Sequence, residues 1–598
     1  MTKTMYPEVW DLDVFFKGGS ESTQLREHLN TTTEMLKKLR TDVEQFNVPS
    51  SGDQAEEVAK LIEKLKNTAM NLQEAGAVIG CLAAQNTTDK KAVLLGSEIA
   101  SLRANLSTSL LKLQQTLTKT DDSVWSELLK SNELSPFTFV LNEWRTKSKL
   151  LLSEEEEILV TTLGVDGYHA WGELYDALIG EMKVKVRIAG EEKELSVGQA
   201  NNLSSNPDPH VRKEAFDALE SAFEQKEDFF AKTLNHLAGF RLSVYEKRGW
   251  DNVLSEPLQI NRMKQETLDA MWDAITAYKQ PFVDYLNQKA KILGKERMNW
   301  YDLDAPITSS TQKISYQEGA EFILKHFSKF GKELTSLAKT ALEDGWIEAE
   351  DRPHKQPGGY CTGMPLSNQS RIFMTYSGTM SNVSTLAHEL GHAFHSYALR
   401  PVHWMNRLYA MGVAETASTF AEMIVADAAV KEADSPEEKL SLLEDKIQRS
   451  VAFFMNIHAR FLFETRFYEE RKNGIVSASR LNELMEEAQR EAYGDALDAA
   501  HPHFWASKMH FYITGVPFYN FPYTFGYLFS LSIYAKALEE GTNFEEKYVA
   551  LLRDTAVMTV EDLAMKHLGE DVTQRAFWEK GVQLCVKDVE EFLTLTKG

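Results

Sequence analysis

The chemistry in this chain concentrates in one run, Thr385-Leu-Ala-His388-Glu389-Leu-Gly-His392-Ala-Phe-His395. Two histidines four positions apart fall on one helix face, because four steps of about 100° return to within about 40° of the start. Their imidazoles can therefore converge on one ion. Glu389 points away from that line, about 100° round the helix, yet can reach a water that such an ion holds. One zinc ion per chain suits the pattern, since it takes nitrogen ligands tetrahedrally and keeps a position for water. Water held there ionises near pH 7, at about 7, and a carboxylate beside it can take the proton as general base. With 15 histidines in 598 residues, chance supplies on the order of 0.03 such HExxH matches. The bland alternative is a polar helix face.

A third ligand has to be found. The extended pattern HExxHxxGxxH is excluded, because the chain carries His395 and Ala398 where that pattern needs glycine and histidine. Between Arg400-Pro401, which ends the helix, and Asp427 the carboxylates are Glu415 and Glu422, seven apart on an otherwise apolar segment. Carboxylates on an apolar stripe are costly unless paired or metal-bound. Glu415, 23 residues after His392, is the expected ligand, and Glu422 would orient a ligand histidine from behind. His395 is the fallback ligand.

The elements that must hold these groups are mostly helices. The 32 glycines and 16 prolines in 598 residues are fewer breakers than the usual ~12%. Leu29, Met35, Leu36 and Leu39 recur at helical spacing, as do Val58, Leu61, Ile62 and Leu65. Ser153 before Glu154 to Glu157 reads as a capped helix start. Met182 to Ile188 alternates strictly and, with Lys193 to Val197, predicts a β-hairpin. Three parts follow: a helical domain over 1–180, the hairpin seam over 181–198, and a catalytic domain over 199–598. The clearest periodic helix runs from about Pro436 to Asn473, stopped by Gly474. Arg371 to Tyr376 is a strand candidate near Gly358 and Gly359. It can align an extended substrate by main-chain hydrogen bonds, or be an ordinary buried hairpin.

Charge and composition exclude several classes. With 65 basic against 88 acidic residues the net charge is −23, a poor match to nucleic acid or anionic membrane, both of which need a basic footprint. Cys81, Cys361 and Cys585 show no metal or disulfide spacing. The apolar run Ala75 to Ala84 is about half of a membrane span, and Glu8, Asp11 and Asp13 interrupt any leader-like start. The expected location is cytoplasmic.

The motifs together resemble the oligoendopeptidase F group of zinc metallopeptidases, relatives of thimet oligopeptidase. The resemblance is carried by His388-Glu-Leu-Gly-His-Ala-Phe-His395, by Glu415-Thr-Ala-Ser-Thr-Phe-Ala-Glu422, and by His510-Phe-Tyr through Gly526-Tyr527. Gly359-Tyr-Cys and Arg371 to Tyr376 also look like the segments before the metal helix of that group. The likeness is strong over about 200–590 and weaker before. It implies a mainly α, two-lobed metallopeptidase, with a deep channel for oligopeptides and a small β element beside the HExxH helix. It implies zinc on His388, His392 and Glu415, and Glu389 as the base. It also places His510, Tyr519 and Tyr527, with Tyr523 third, over the scissile carbonyl. Phenol and imidazole donors suit the oxyanion that peptide hydrolysis develops there. Within the enzyme class the rival is an exopeptidase releasing C-terminal dipeptides, which would need a cation for the terminal carboxylate; no sequence feature picks one out. Outside it, the rival is a non-catalytic helical scaffold.

Overall fold

Leu29, Leu36 and Val43 stand seven residues apart and share the buried face of helix Thr23–Gln45, which Ser22 caps by accepting the Leu25 N–H at 3.3 Å. Helices Ala55–Gln85 and Lys90–Thr118 pack beside it. The computed structural model describes residues 5–188, 190–308, 313–541 and 544–597. Met1 to Thr4 and Ala189, the latter in the expected hairpin turn, lie outside these. Helices dominate, and the strands among the described residues are short.

Buried side chains form two apolar cores. One gathers residues from Trp10 to Leu141 and takes in Met364, Phe373 and Met405. The other spans Tyr168 to Phe592. The hairpin forms as β1 (Lys183–Ile188) and β2 (Glu191–Ser196), antiparallel. Its Val184 and Val186 are fully buried in the second core. The hairpin is thus part of that core, not a link between the two. The predicted start at Ser153 carries the reciprocal cap, Ser153 and Glu156 each bonding the other's backbone N–H.

A three-stranded sheet joins the cores. β3 (Ile347–Glu348) pairs in parallel with β5 (Gln369–Phe373), and β4 (Tyr360–Met364) pairs antiparallel with β5 on its other side. Successive strand residues face opposite sides, so Ile372 enters the second core while Phe373 enters the first. The strand expected at Arg371 to Tyr376 is therefore seen as β5, which ends at Phe373 and is central, with a partner on each edge. β3 and β4 are the sheet's two edges, an order that nothing in sequence spacing encodes. Buried Arg371 ties the N-terminal segment on: its Nη2 donates to the Asp11 carbonyl at 2.8 Å.

The helix expected from Pro436 to Asn473 appears as Pro436–Val451 and Ile457–Arg471, joined by a π-helical turn at Ala452–Asn456. A π turn releases a carbonyl from the regular ladder. The Phe453 carbonyl is taken up by the Thr524 hydroxyl at 2.6 Å, from helix Phe521–Glu540.

Candidate active site and metal centre

The His helix, Met380–Ala398, begins at Thr379, whose hydroxyl accepts the Asn382 N–H at 3.2 Å while Asn382 Oδ1 accepts the Thr379 N–H at 3.3 Å. Two N–H groups at the helix start, those of Thr379 and Asn382, are thereby satisfied. One turn apart on this helix, the His388 and His392 rings have centres 5.0 Å apart. Their Nε2 atoms lie 3.3 and 3.4 Å from the same Oε2 of Glu415.

Glu415 occupies the N-cap position of helix Thr416–Glu432 and accepts the Ser418 hydroxyl at 2.7 Å. It reaches the histidines because the two helices nearly touch at Gly391. A Cβ on that glycine would lie 2.4 Å from the Ala417 carbonyl oxygen. On the far side Gly526 lets helix Phe521–Glu540 lie against Glu415, with a Cβ there only 3.1 Å from the Glu415 Cβ. Burial pushes the Glu415 carboxyl up, but hydrogen bonds and charge from His388 and His392 prevail and hold it far below the usual range.

Among the described residues, His388, His392 and Glu415 form the group able to hold a metal ion. A tetrahedral ion with bonds of about 2.0–2.1 Å sets its ligand atoms about 3.3–3.4 Å apart. The observed spacings of 3.3 and 3.4 Å match that requirement. Behind His388, Glu422 Oε2 lies 3.1 Å from Nδ1, and Glu422 is itself ion-paired to Arg449. An Nδ1–H donated there leaves Nε2 bare for a ligand role.

Glu389 is 6% exposed, and its Oε2 has no hydrogen-bond partner. Burial raises its carboxyl above the ordinary range, against the pull of His388 and His392 and with the push of Glu415. Gly359, at the start of β4, stands beside it: a Cβ there would come 3.6 Å from Glu389 Oε1. His395 is on another face. It is fully buried, stacks on Tyr409 at 4.3 Å and meets the Thr555 hydroxyl through Nε2 at 3.0 Å. As a fallback ligand it is not with the other three.

His510, Tyr519 and Tyr523 form a triangle of half-buried rings, with centres 5.6, 6.1 and 5.8 Å apart. The left-handed Phe518, with φ of 51°, turns the chain just before Tyr519. Burial, then the charges of Arg460 and Lys508, pull His510 down to about 4, so its imidazole is neutral at pH 7. Burial and then Tyr519 and Glu415 keep the Tyr523 phenol protonated. Tyr527 does not join them. Its hydroxyl bonds Ser450 at 3.1 Å within the core, and its ring stacks on Phe453 at 4.4 Å. It sits one turn deeper than Tyr523, where helix Arg575–Thr596 packs over its own helix.

Residues 202–583 match the model of peptidase family M3, and residues 117–183 match that of oligopeptidase F. The chain belongs to peptidase family M3. An oligoendopeptidase F homolog of Lactococcus lactis is 24% identical over 561 residues, covering 91% of this chain and 90% of that one. Oligopeptidase PepF of Bacillus subtilis is 25% identical over 515 residues, covering 84% and 74%. Among solved structures, a chain from Chlamydophila abortus has a TM-score of 0.82 at 20% identity, covering 98% of both chains. The oligoendopeptidase-F of Enterococcus faecium has a TM-score of 0.70 at 19% identity, covering 96% of this chain and 98% of that one.

In this family M3 chain a cavity of about 710 Å³ runs from His388, Glu389, His392 and Glu415 along β4 to Gln73 on helix Ala55–Gln85. No helix among the described residues is long and apolar enough to cross a membrane. Sequence reasoning passed over Gly391, Arg449, Arg460 and Lys508. For Gly391 a signal existed, since glycine inside a helix costs about 1 kcal/mol against alanine. For the three cations there was none.

Proposed function

We propose that this chain is a zinc-dependent endopeptidase that hydrolyses oligopeptides, with Glu389 as general base. The observation that carries the reading is the convergence of two imidazole Nε2 atoms on one Glu415 oxygen, at 3.3 and 3.4 Å, beside the unpartnered carboxylate of Glu389. The names of the Lactococcus and Bacillus relatives point to the same substrate class.

His388, His392 and Glu415 would hold the ion, and zinc bound there supplies the Lewis acidity that makes water a nucleophile near neutral pH and polarises a carbonyl. Glu389 takes the proton of the attacking water. Its raised carboxyl then returns that proton to the leaving nitrogen. His510, neutral at pH 7, and Tyr519 and Tyr523 supply N–H and O–H donors to the oxygen on which charge develops. The outer edge of β4, which lines the cavity, offers main-chain groups to an extended peptide, a contact that is indifferent to side chains.

The test is hydrolysis of a quenched peptide library by the purified full chain, with a chelator and after zinc is restored. Loss on chelation and recovery with zinc are expected. Turnover untouched by complete metal removal would refute the reading.

A further inference from the structure

The cavity beside His388 and His392 carries opposite charges in different parts of its wall. Its carboxylates, Glu389 and Glu415, stand with the two histidines, while its cations, Arg400 and Arg407, lie further along. His510, Tyr519 and Tyr523 stand outside that lining. Burial lowers both guanidinium groups, offset at Arg400 only by Tyr397, and neither pairs with a carboxylate among the described residues. A charge drawn from water without a partner is costly, and an arriving anion removes part of that cost.

The helix that carries the histidines also sets Arg400. His392, Ser396, Leu399 and Arg400 follow one another at steps of four, three and one, and all four line the cavity. At about 1.5 Å per residue, the advance from His392 to Arg400 is about 12 Å. Arg407 fixes the backbone there: its Nε donates to the Val402 carbonyl at 2.7 Å and its Nη2 to the Arg400 carbonyl at 3.0 Å. The Arg400 guanidinium lies 5.0 Å from the centre of the Tyr397 ring. Glu333, the carboxylate beside that ring, accepts the Tyr397 hydroxyl at 3.2 Å and forms no ion pair with Arg400. Arg400 thus keeps its planar fork of donors for an arriving group, and a carboxylate matches that fork with two parallel hydrogen bonds.

We propose that Arg400, with Arg407 behind it, selects peptides bearing an acidic side chain about three or four residues from the cleaved bond. An extended chain advances about 3.3 Å per residue, so about 12 Å from the histidines corresponds to that position. The inference rests on the peptidase reading above and deepens it by naming a preferred substrate class. In a chain of net charge −23, this basic stretch of wall is a local device for specificity.

The experiment uses peptides acetylated and amidated at their ends, with one glutamate walked along a neutral sequence, beside glutamine twins. Mass spectrometry reads the cut sites. In the zinc-loaded full chain, glutamate at the third or fourth residue on one side of the cut should raise kcat/KM about tenfold over glutamine, the scale of a hydrogen bond to a charged group. Added salt should shrink that ratio. In Arg400→Gln the ratio should fall toward one, and in Arg400→Glu a lysine twin should overtake the glutamate peptide. A glutamate advantage that survives Arg400→Gln overturns the proposal, as does equal cutting of both twins at every position by wild type. An advantage confined to unblocked peptides with a free C-terminal carboxylate overturns the side-chain assignment. Binding of the twins to the full-length Glu389→Gln protein reads the same preference without turnover. Tighter binding of the glutamate twin there, with no hydrolysis of any peptide by wild type, would leave Arg400 in its role and sink the peptidase reading.

Discussion

Gly391 and Ser418 meet backbone to backbone: a Cβ on Gly391 would fall 2.6 Å from the Ser418 Cα. That contact sets how closely the helix bearing Glu415 approaches the helix bearing both histidines. The glycine between His388 and His392 is thus a spacing device, and the position of the Glu415 carboxylate depends on it.

Gly391→Ala should therefore push the two helices apart. Overpacking of this kind costs roughly 1–3 kcal/mol, and the same displacement loosens the ligand set. A lowered Tm together with reduced zinc per chain, by elemental analysis, is the expected pair of results. An unchanged zinc content would show that Glu415 tolerates the shift.

Glu389→Gln keeps the shape of the side chain and removes its basicity. Zinc content should stay near that of the parent, while kcat falls by about 10²–10⁴, the usual worth of a positioned base. Near-normal turnover would assign the proton transfer to another group.

Glu415→Ala deletes the oxygen on which both imidazoles converge and should empty the site at low zinc concentration. Glu422→Gln, acting only behind His388, should weaken retention by about 10–100-fold. Competition with a chromophoric chelator ranks the two. Equal losses in both variants would contradict the division between ligand and orienting residue.

A pH dependence of stability follows from His458, buried and stacked on Trp272 at 4.5 Å. Burial, then Lys279 and Arg466, pull it from the ordinary 6.5 to about 3. Between those values the unfolded chain binds a proton that the folded chain does not, so stability rises with pH across that window. The slope from one such group is about 1.4 kcal/mol per pH unit. Replacing His458 with Gln should flatten the fall in Tm between pH 6.5 and 5. An undiminished slope would place the acid sensitivity elsewhere.

The candidate metal site was legible because its information is local. Spacing alone aligned His388 with His392, and the scarcity of carboxylates after Arg400 left Glu415 and Glu422. The cap at Ser153 and the pairing of β1 with β2 were readable for the same reason. Long-range packing was not. Tyr523 and Tyr527 stand one helical turn apart, and the packing of Ser450, Phe453 and helix Arg575–Thr596 buries the second. Likewise Arg460 and Lys508, 48 positions apart, meet at the Phe504 ring, a contact that apolar periodicity does not announce. The edge position of β4 depends on strand order, which no spacing encodes.

Ile372 and Phe373 are neighbours in the chain but anchor in different cores. Drawing the two cores apart along β5 would therefore break its main-chain ladders to β3 and β4. Gly359 packs against the Phe373 carbonyl and beside Glu389, so the pairing that ties the cores also holds the rim of the candidate site in register.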